Sequence, residues 1–367
     1  PYAVSLSPFG AVVAAHKAVK GELVFSSENA NHALIPEPPG DARNQYWRDE
    51  PRSNIEFALR ALLRRDPDLA TPGGVWALMA DPTTFIRAAE VEAEEGDASL
   101  SALARHILDA REHNKEHFGQ HRAAVLKALR IYSADSPLHR CGVDADATHL
   151  GLLQAKAVIF LVGPQRHMVR LGPHYALHLQ SFVEALLSGT AGPVDFILDE
   201  FTNAPLGALV AALTTMRGYG GNCHMIAQSR SEIQRKYGDK ETATIEENAV
   251  VKQWFGFSSF EEAERVSRAM GEARYLQHSL GYSSGRLDLS GNLSTTKDRL
   301  FTAEQLMRLP VDEQILHVKD VGFVHCRKLG QNQIAPFCHG GLAPNPLEGG
   351  QLRPDPKVSL KIRRVRR

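Results

Sequence analysis

Asp199 and Glu200 stand side by side where the short apolar run Val194–Leu198 ends. A run of that kind reads as a buried parallel strand. In parallel α/β sheets, ligands bind beyond the carboxyl ends of the strands. Two adjacent carboxylates there suit phosphate chemistry. The first can hold Mg²⁺ beside the β- and γ-phosphates of a nucleotide, and the second can polarise an attacking water as general base. The same pair also suits the first turn of a helix, where the dipole favours acids. The pattern alone leaves both readings open.

The residues that follow extend the first reading. A helix ending in TTMRGYGG leads to a second apolar strand, NCHMIA, and then to QSRSEIQRKYG. Gln228 and Ser229 then stand at the same sheet edge as Asp199, one strand over. A glutamine in that position reports on a γ-phosphate through a hydrogen bond, or it is an ordinary polar strand end. Arg217 precedes the Gly-Tyr-Gly-Gly turn. An arginine offered to a neighbouring subunit's nucleotide neutralises transition-state charge, whereas one at a helix C-terminus is favoured simply by the dipole.

Positioning these groups requires a sheet. Strand-like runs occur at Ala3–Leu6, Glu22–Phe25, Ala157–Val162, Val194–Leu198, Cys223–Ala227, Val251–Phe255 and Gln314–Val318. Helical spacing marks Phe57–Leu63, Tyr175–Leu187, Leu206–Met216 and Ser259–Met270 between them. Such alternation predicts an α/β fold with a parallel sheet and helices on both faces. From about residue 69 to 146 the rhythm breaks into helices alone, Thr84–Glu95, Leu100–Glu112 and His121–Tyr132, so an all-α insertion is expected. After Gly330 the composition becomes that of a linker, closing on the basic tail KVSLKIRRVRR.

Bulk properties fit a globular chain. The 367 residues are 43% hydrophobic and 23% charged, with zero formal net charge. Nothing global therefore argues for nucleic acid or membrane, and any such surface must be local. Four scattered cysteines do not make a disulfide framework and fit a reducing compartment. No apolar run is long enough to span a bilayer.

The series VDFILDEF, LTTMRGYGG, HMIAQS, IQRKYGD, IEENAVVKQWFG, EEAERVSRAMGE and DRLFTAEQLMRLPVDEQILHV resembles the coupling-protein ATPases of type IV secretion and bacterial conjugation, the TraG-type family, over roughly residues 150 to 320. LSPFG sits where that family has an Asp-Pro-Lys-Gly turn. NQYWRDEPRSNIEFALRALL resembles its Tyr-Trp helix, and the helical insertion falls where it carries an all-α domain. The resemblance implies a RecA-like P-loop nucleotide hydrolase core divided as follows: residues 1–68 and 147–330 as the nucleotide-binding domain, 69–146 as the all-α domain, and 331–367 as linker and tail. It implies a Walker B pair in Asp199, the Mg²⁺ holder, and Glu200, the water activator, with Gln228 as sensor, Ser229 beside it facing the cofactor, and Arg217 acting across a subunit interface. It also implies a homo-hexameric motor using ATP and Mg²⁺ at the cytoplasmic face of the bacterial inner membrane. Such a motor would hand DNA with its relaxosome, or effector proteins, to the other subunits of the secretion channel.

The chain departs from that pattern in two respects. No G-x-x-x-x-G-K-[ST] occurs, and Ser7 and Phe9 replace the aspartate and lysine of the early turn. The missing loop supplies the amide cradle and lysine for phosphates. The expectation is that a cut at Pro1 removed it together with a membrane anchor, leaving a monomeric piece that binds ATP weakly or not at all. The rival reading is a docking platform that recruits secretion substrates without hydrolysis. Among lesser signals, His325-Cys326 and Cys338-His339 frame eleven residues in the manner of zinc ligands, but neighbouring strand residues face opposite ways. The tail can grip DNA phosphates or lie solvated. The acidic stretch Glu90–Asp97 reads as a solvated helix face in preference to a docking site for a basic partner.

Overall fold

The protein is described by a computed structural model covering residues 4–18, 21–203, 207–279, 292–330 and 333–334. It divides into two units, residues 1–248 and 249–367. In chain order the first carries α1 (Gly10–Lys17), α2 (Glu22–Leu34), α3 (Tyr46–Arg65), α4 (Pro72–Ala80), α5 (Pro82–Glu95), α6 (Ala98–His113), α7 (Lys115–Ala128), α8 (His149–Gln154) and α9 (Met168–Leu187). It continues with β1 (Val194–Leu198), α10 (Gly207–Ala212), β2 (Gly221–Met225) and α11 (Arg230–Asn248). The second unit holds β3 (Val251–Trp254), α12 (Phe260–Met270), β4 (Glu272–Ser279), β5 (Asn292–Arg299), α13 (Ala303–Met307), β6 (Glu313–Val318) and β7 (Gly322–Arg327).

The helices from α4 to α6 begin where the sequence supplies caps. Thr71 and Asp81 accept hydrogen bonds from the amides of Gly74 and Thr83, each with proline at the first helical position. Asp97 accepts from the amides of Ser99 and Leu100. Side-chain oxygens there satisfy donors that the helix itself leaves open. These helices pack around α3, whose Phe57 meets Phe85 edge to face with ring centres 5.6 Å apart.

The acidic stretch is a solvated face at Glu90, Glu94, Glu95 and Asp97, and Glu92 is the exception. Glu92 is fully buried between Arg64, at 2.5 Å, and Arg65, while Glu95 pairs with Arg65 at 3.1 Å and Asp97 lies 3.5 Å from Arg60. The helical spacing of α5 points Glu92 inward onto two arginines of α3, which no local pattern discloses.

β1 and β2 pair in parallel, Val194 opposite Gly221 and Leu198 opposite Met225. One face of the pair, Phe196 and Leu198, is buried in the core cluster that also holds Leu186 of α9 and Leu209 and Val210 of α10; the other exposes Asp195 and Ile197. The approach at Gly221 is close: a Cβ there would lie 2.5 Å from Leu186 Cδ2 of α9, which would have to move aside. In the second unit the pairing is antiparallel: β3–β6–β7 form one sheet and β4–β5 a hairpin. Its small core joins Val266, Leu306 and Ile315.

Three expected strands are absent. Residues 4–6 are coil, Glu22–Phe25 opens α2, and 157–162 has no ladder partner. Val158, Phe160 and Val162 are 80–84% exposed. An apolar run becomes a strand only when a neighbour accepts its hydrogen bonds, and no neighbour is present among the described residues. Val251–Phe255 and Gln314–Val318 are strands, but antiparallel to each other.

Removing both Arg64 and Arg65 by substitution with alanine strands Glu92 as a buried charge and is expected to cost about 3–5 kcal/mol. Glu92→Leu should cost less, because both arginines are some 40% exposed and regain water. Urea denaturation of the two variants checks the order.

Candidate active site at the strand ends

The parallel register brings the ends of β1 and β2 together. Beyond Leu198 and Met225 the ladder continues into the loops: Ile226 N donates to Leu198 O at 3.0 Å, and Phe201 N donates to Ile226 O at 3.2 Å. Asp199 and Glu200 occupy the tight turn between these bonds, and Gln228 follows on the neighbouring chain segment. Phe201 is clamped from below. It stacks on Tyr237 of α11, ring centres 5.7 Å apart, and its carbonyl accepts the Tyr237 hydroxyl at 3.2 Å.

Within this edge, Glu200 is the organised group. Gln228 Nε2 donates to its Oε1 at 3.3 Å and Asn203 Nδ2 to its Oε2 at 3.1 Å. Its backbone sits at φ 47°, in the left-handed region. A side chain with a Cβ pays about 1–2 kcal/mol there, and strain of this kind gathers at working sites. The turn thus spends backbone energy to aim one carboxylate at its two amide donors. Asp199 is exposed and has no hydrogen bond or ion pair among the described residues. The edge therefore pairs a half-buried carboxylate fixed by two amides, Glu200, with an exposed one whose oxygens are open, Asp199.

The remaining predicted residues divide. Ser229 lies at the same edge, but its hydroxyl is already used: it accepts from Glu232 N at 3.2 Å, capping α11, and lies 3.0 Å from Ser231 Oγ. Arg217 is elsewhere. It lies in the turn Met216–Tyr219 that enters β2, exposed, while Gly220 at φ 80° closes that turn. Since β1 and β2 run in parallel, Arg217 is at the opposite edge from Glu200, a strand length or roughly 16 Å away. Two contributors went unmarked by sequence reasoning, Asn203 and Tyr237. Their signal was available only as proximity: Asn203 follows three residues after Glu200, and Tyr237 lies within the quoted IQRKYGD.

The zinc-like pair at His325 and Cys326 lies on β7, where His325 Nε2 meets Glu313 at 2.6 Å and Cys326 Sγ accepts from Gln314 at 3.5 Å. The two side chains therefore serve different neighbours. Cys338, His339 and the basic tail lie outside the described residues.

Residues 193–311 match the family described as the TraM recognition site of TraD and TraG. The chain is 27% identical over 257 residues to the VirD4 protein of Rhizobium radiobacter, covering 68% of this chain and 37% of that protein. It is 25% identical over 267 residues to VirD4 of Rhizobium rhizogenes, covering 71% and 39%. The chain thus spans less than two-fifths of these relatives' length. Among solved structures it resembles the bacterial conjugative coupling protein TrwBΔN70 in its unbound form, with TM-score 0.62, 16% identity, and 83% of this chain and 68% of that one covered. TrwB bound to the ATP analogue ADPNP aligns at TM-score 0.63 and 15% identity, and TrwB with ADP and Mg²⁺ at 0.62 and 16%, with the same coverage. The fold is accordingly shared with these coupling-protein structures: a mixed α/β arrangement with a parallel strand pair and an all-α segment. No helix among the described residues is long and apolar enough to cross a membrane.

If φ 47° at Glu200 is strain, Glu200→Gly should be more stable than Glu200→Ala by about 0.5–1 kcal/mol, although glycine is ordinarily the costlier residue. Chemical denaturation of the two variants, both lacking the carboxylate, isolates the backbone effect.

Proposed function

We propose that this chain, a relative of the coupling proteins of type IV secretion and conjugation, is the cytoplasmic part of a hexameric ATP-driven machine that brings DNA or protein substrates to a secretion channel. The observation that supports it most is the hydrogen bond from Gln228 to Glu200 across the ends of two parallel strands. It couples a water-orienting carboxylate to the first residues of the next structural element. When bound, a magnesium nucleotide would supply the γ-phosphoryl group on which the site acts. Asp199 would hold the ion, and Glu200 would orient the water and take its proton. Gln228 would pass the state of Glu200 to α11, whose first turn Ser229 caps.

Arg217 has a different part. An arginine a strand length from Glu200 serves a nucleotide only if another copy of the chain holds it, which is what a ring supplies. The helices within residues 69–146 are proposed as the cargo-facing domain, flanked by the nucleotide-binding parts 1–68 and 147–330. Attachment is proposed at the cytoplasmic face of the inner membrane. Relaxosome proteins or effectors are the proposed partners, in keeping with the TraM-recognition description of residues 193–311.

One observation favours a second reading. The 367 residues contain no G-x-x-x-x-G-K-[ST], so a non-hydrolysing platform that only recruits substrates remains the competing function.

In the native protein that contains this chain, Glu200→Gln should lower ATP turnover by roughly 10²–10⁴-fold while substrate recruitment persists; unchanged turnover would remove the catalytic assignment. Arg217→Ala should abolish hydrolysis with nucleotide binding intact. Mixing it with Glu200→Gln subunits should restore part of the activity, because each copy then supplies what its neighbour lacks. No recovery on mixing contradicts action between subunits.

A further inference from the structure

Far from the strand ends, the interior of the first unit contains an unusual set of polar groups. His174 and His178 stand one turn apart on α9, and Cys141 reaches them from the loop that follows the helical layer. One ligand atom from each lies within 4.8 Å of the others, the only such group of three among the described residues. The rings of His174 and His178 are 4.7 Å apart, nearly perpendicular. A dry core has little use for two imidazoles and a thiol, since each buried polar group costs free energy unless it finds a partner.

The surroundings orient these groups as ligands. His174 Nδ1 is 3.0 Å from the hydroxyl of the fully buried Tyr132, and His178 Nδ1 is 3.1 Å from Nε2 of His149. With both Nδ1 atoms engaged, the Nε2 of each ring is left to bind. Metal-ligating histidines characteristically have their other nitrogen held in this way. His149, 4% exposed, is itself locked: a Cβ at Gly10 would lie 2.3 Å from its Nδ1. Only glycine at residue 10 lets that ring stand behind His178.

We propose that Cys141, His174 and His178 form a divalent transition-metal site, best suited to Zn²⁺, with Tyr132 and His149 as its outer hydrogen-bond partners and a water at the fourth position. A thiolate with two imidazoles matches the ligand preference of zinc. A tetrahedral ion with bonds of about 2.0–2.3 Å sets its donors roughly 3.3–3.8 Å apart. The observed spacing closes to that with side-chain rotations of about 1 Å. The ion would staple the loop around Cys141 to α9.

Burial raises the Cys141 thiol. Metal capture there exchanges the S–H proton for an S–metal bond and releases one proton to solvent.

The proposal does not depend on the nucleotide reading and is tested apart from it. The chelator-stripped chain, titrated with Co²⁺, should take up one equivalent. The complex should show the visible d–d bands of a tetrahedral ion and a thiolate charge-transfer band that Zn²⁺ abolishes. Cys141→Ser should remove the charge-transfer band, Tyr132→Phe should weaken binding by roughly tenfold or more, and Cys326→Ser should change neither. Because core variants can fail to fold, the unsubstituted chain provides a second readout. Zn²⁺ should protect Cys141 from alkylation, mapped by mass spectrometry, while leaving Cys326 reactive. Absence of a one-to-one cobalt complex, a thiolate band that survives Cys141→Ser, or alkylation of Cys141 unaffected by Zn²⁺ would each overturn it.

Discussion

The register of β1 against β2 is the constraint on which the candidate site rests. Val194 faces Gly221 and each later pair follows in step, so both strands end together and Glu200 meets Gln228. A slip of one residue would turn Phe196 and Leu198 to solvent and Asp195 and Ile197 into the core. The hydrophobic effect thus fixes the polar contact. Burial of alternate residues in the core shared with α9 and α10 selects the register, and the register selects which amide touches which carboxylate.

Glycine at 221 and tyrosine at 237 work on either side of that register. Gly221 lets α9 approach the base of β2 closely enough for Leu186 to fill the space. Tyr237 holds the far end through Phe201, keeping the turn with Glu200 in a conformation its backbone does not prefer. The left-handed φ survives because hydrogen bonds on both sides overdetermine it. Strain, stacking and register are one device: a stiff platform carrying a single aimed carboxylate, with Asp199 left free next to it.

The two buried polar clusters of the first unit obey opposite logic. At Glu92 a buried charge is matched by two opposite charges whose own outer surfaces remain wet, so the pairing closes within the helical layer. Around His178 the hydrogen bonds lead from one ring to the next, from His149 to His178 and separately from Tyr132 to His174. The first arrangement is complete as it stands. The second keeps ligand atoms in reserve, and that is why it reads as a binding site where the first does not.

Local chemistry made much of this legible in advance. VDFIL and NCHM announced adjacent strands because their apolar density has few other uses. Helical spacing announced Thr84–Glu95 and Leu100–Glu112, while the caps at Asp81 and Asp97 that start those helices were found in the structure. The succession of short motifs announced the fold and relatives found by comparison. What the sequence determined by itself was therefore which segments are regular and which polar residues end them. Tertiary structure decided pairing and direction. It left 157–162 without a ladder, turned Val251–Phe255 into an antiparallel partner of β6, and drove Glu92 into the interior. It set Arg217 at the edge away from Glu200, and gathered Cys141, His174 and His178 from separate stretches. Each of those outcomes depends on which distant segment arrives to share hydrogen bonds or exclude water. That quantity is carried by no local window, because burial and pairing belong to two parts of the chain at once.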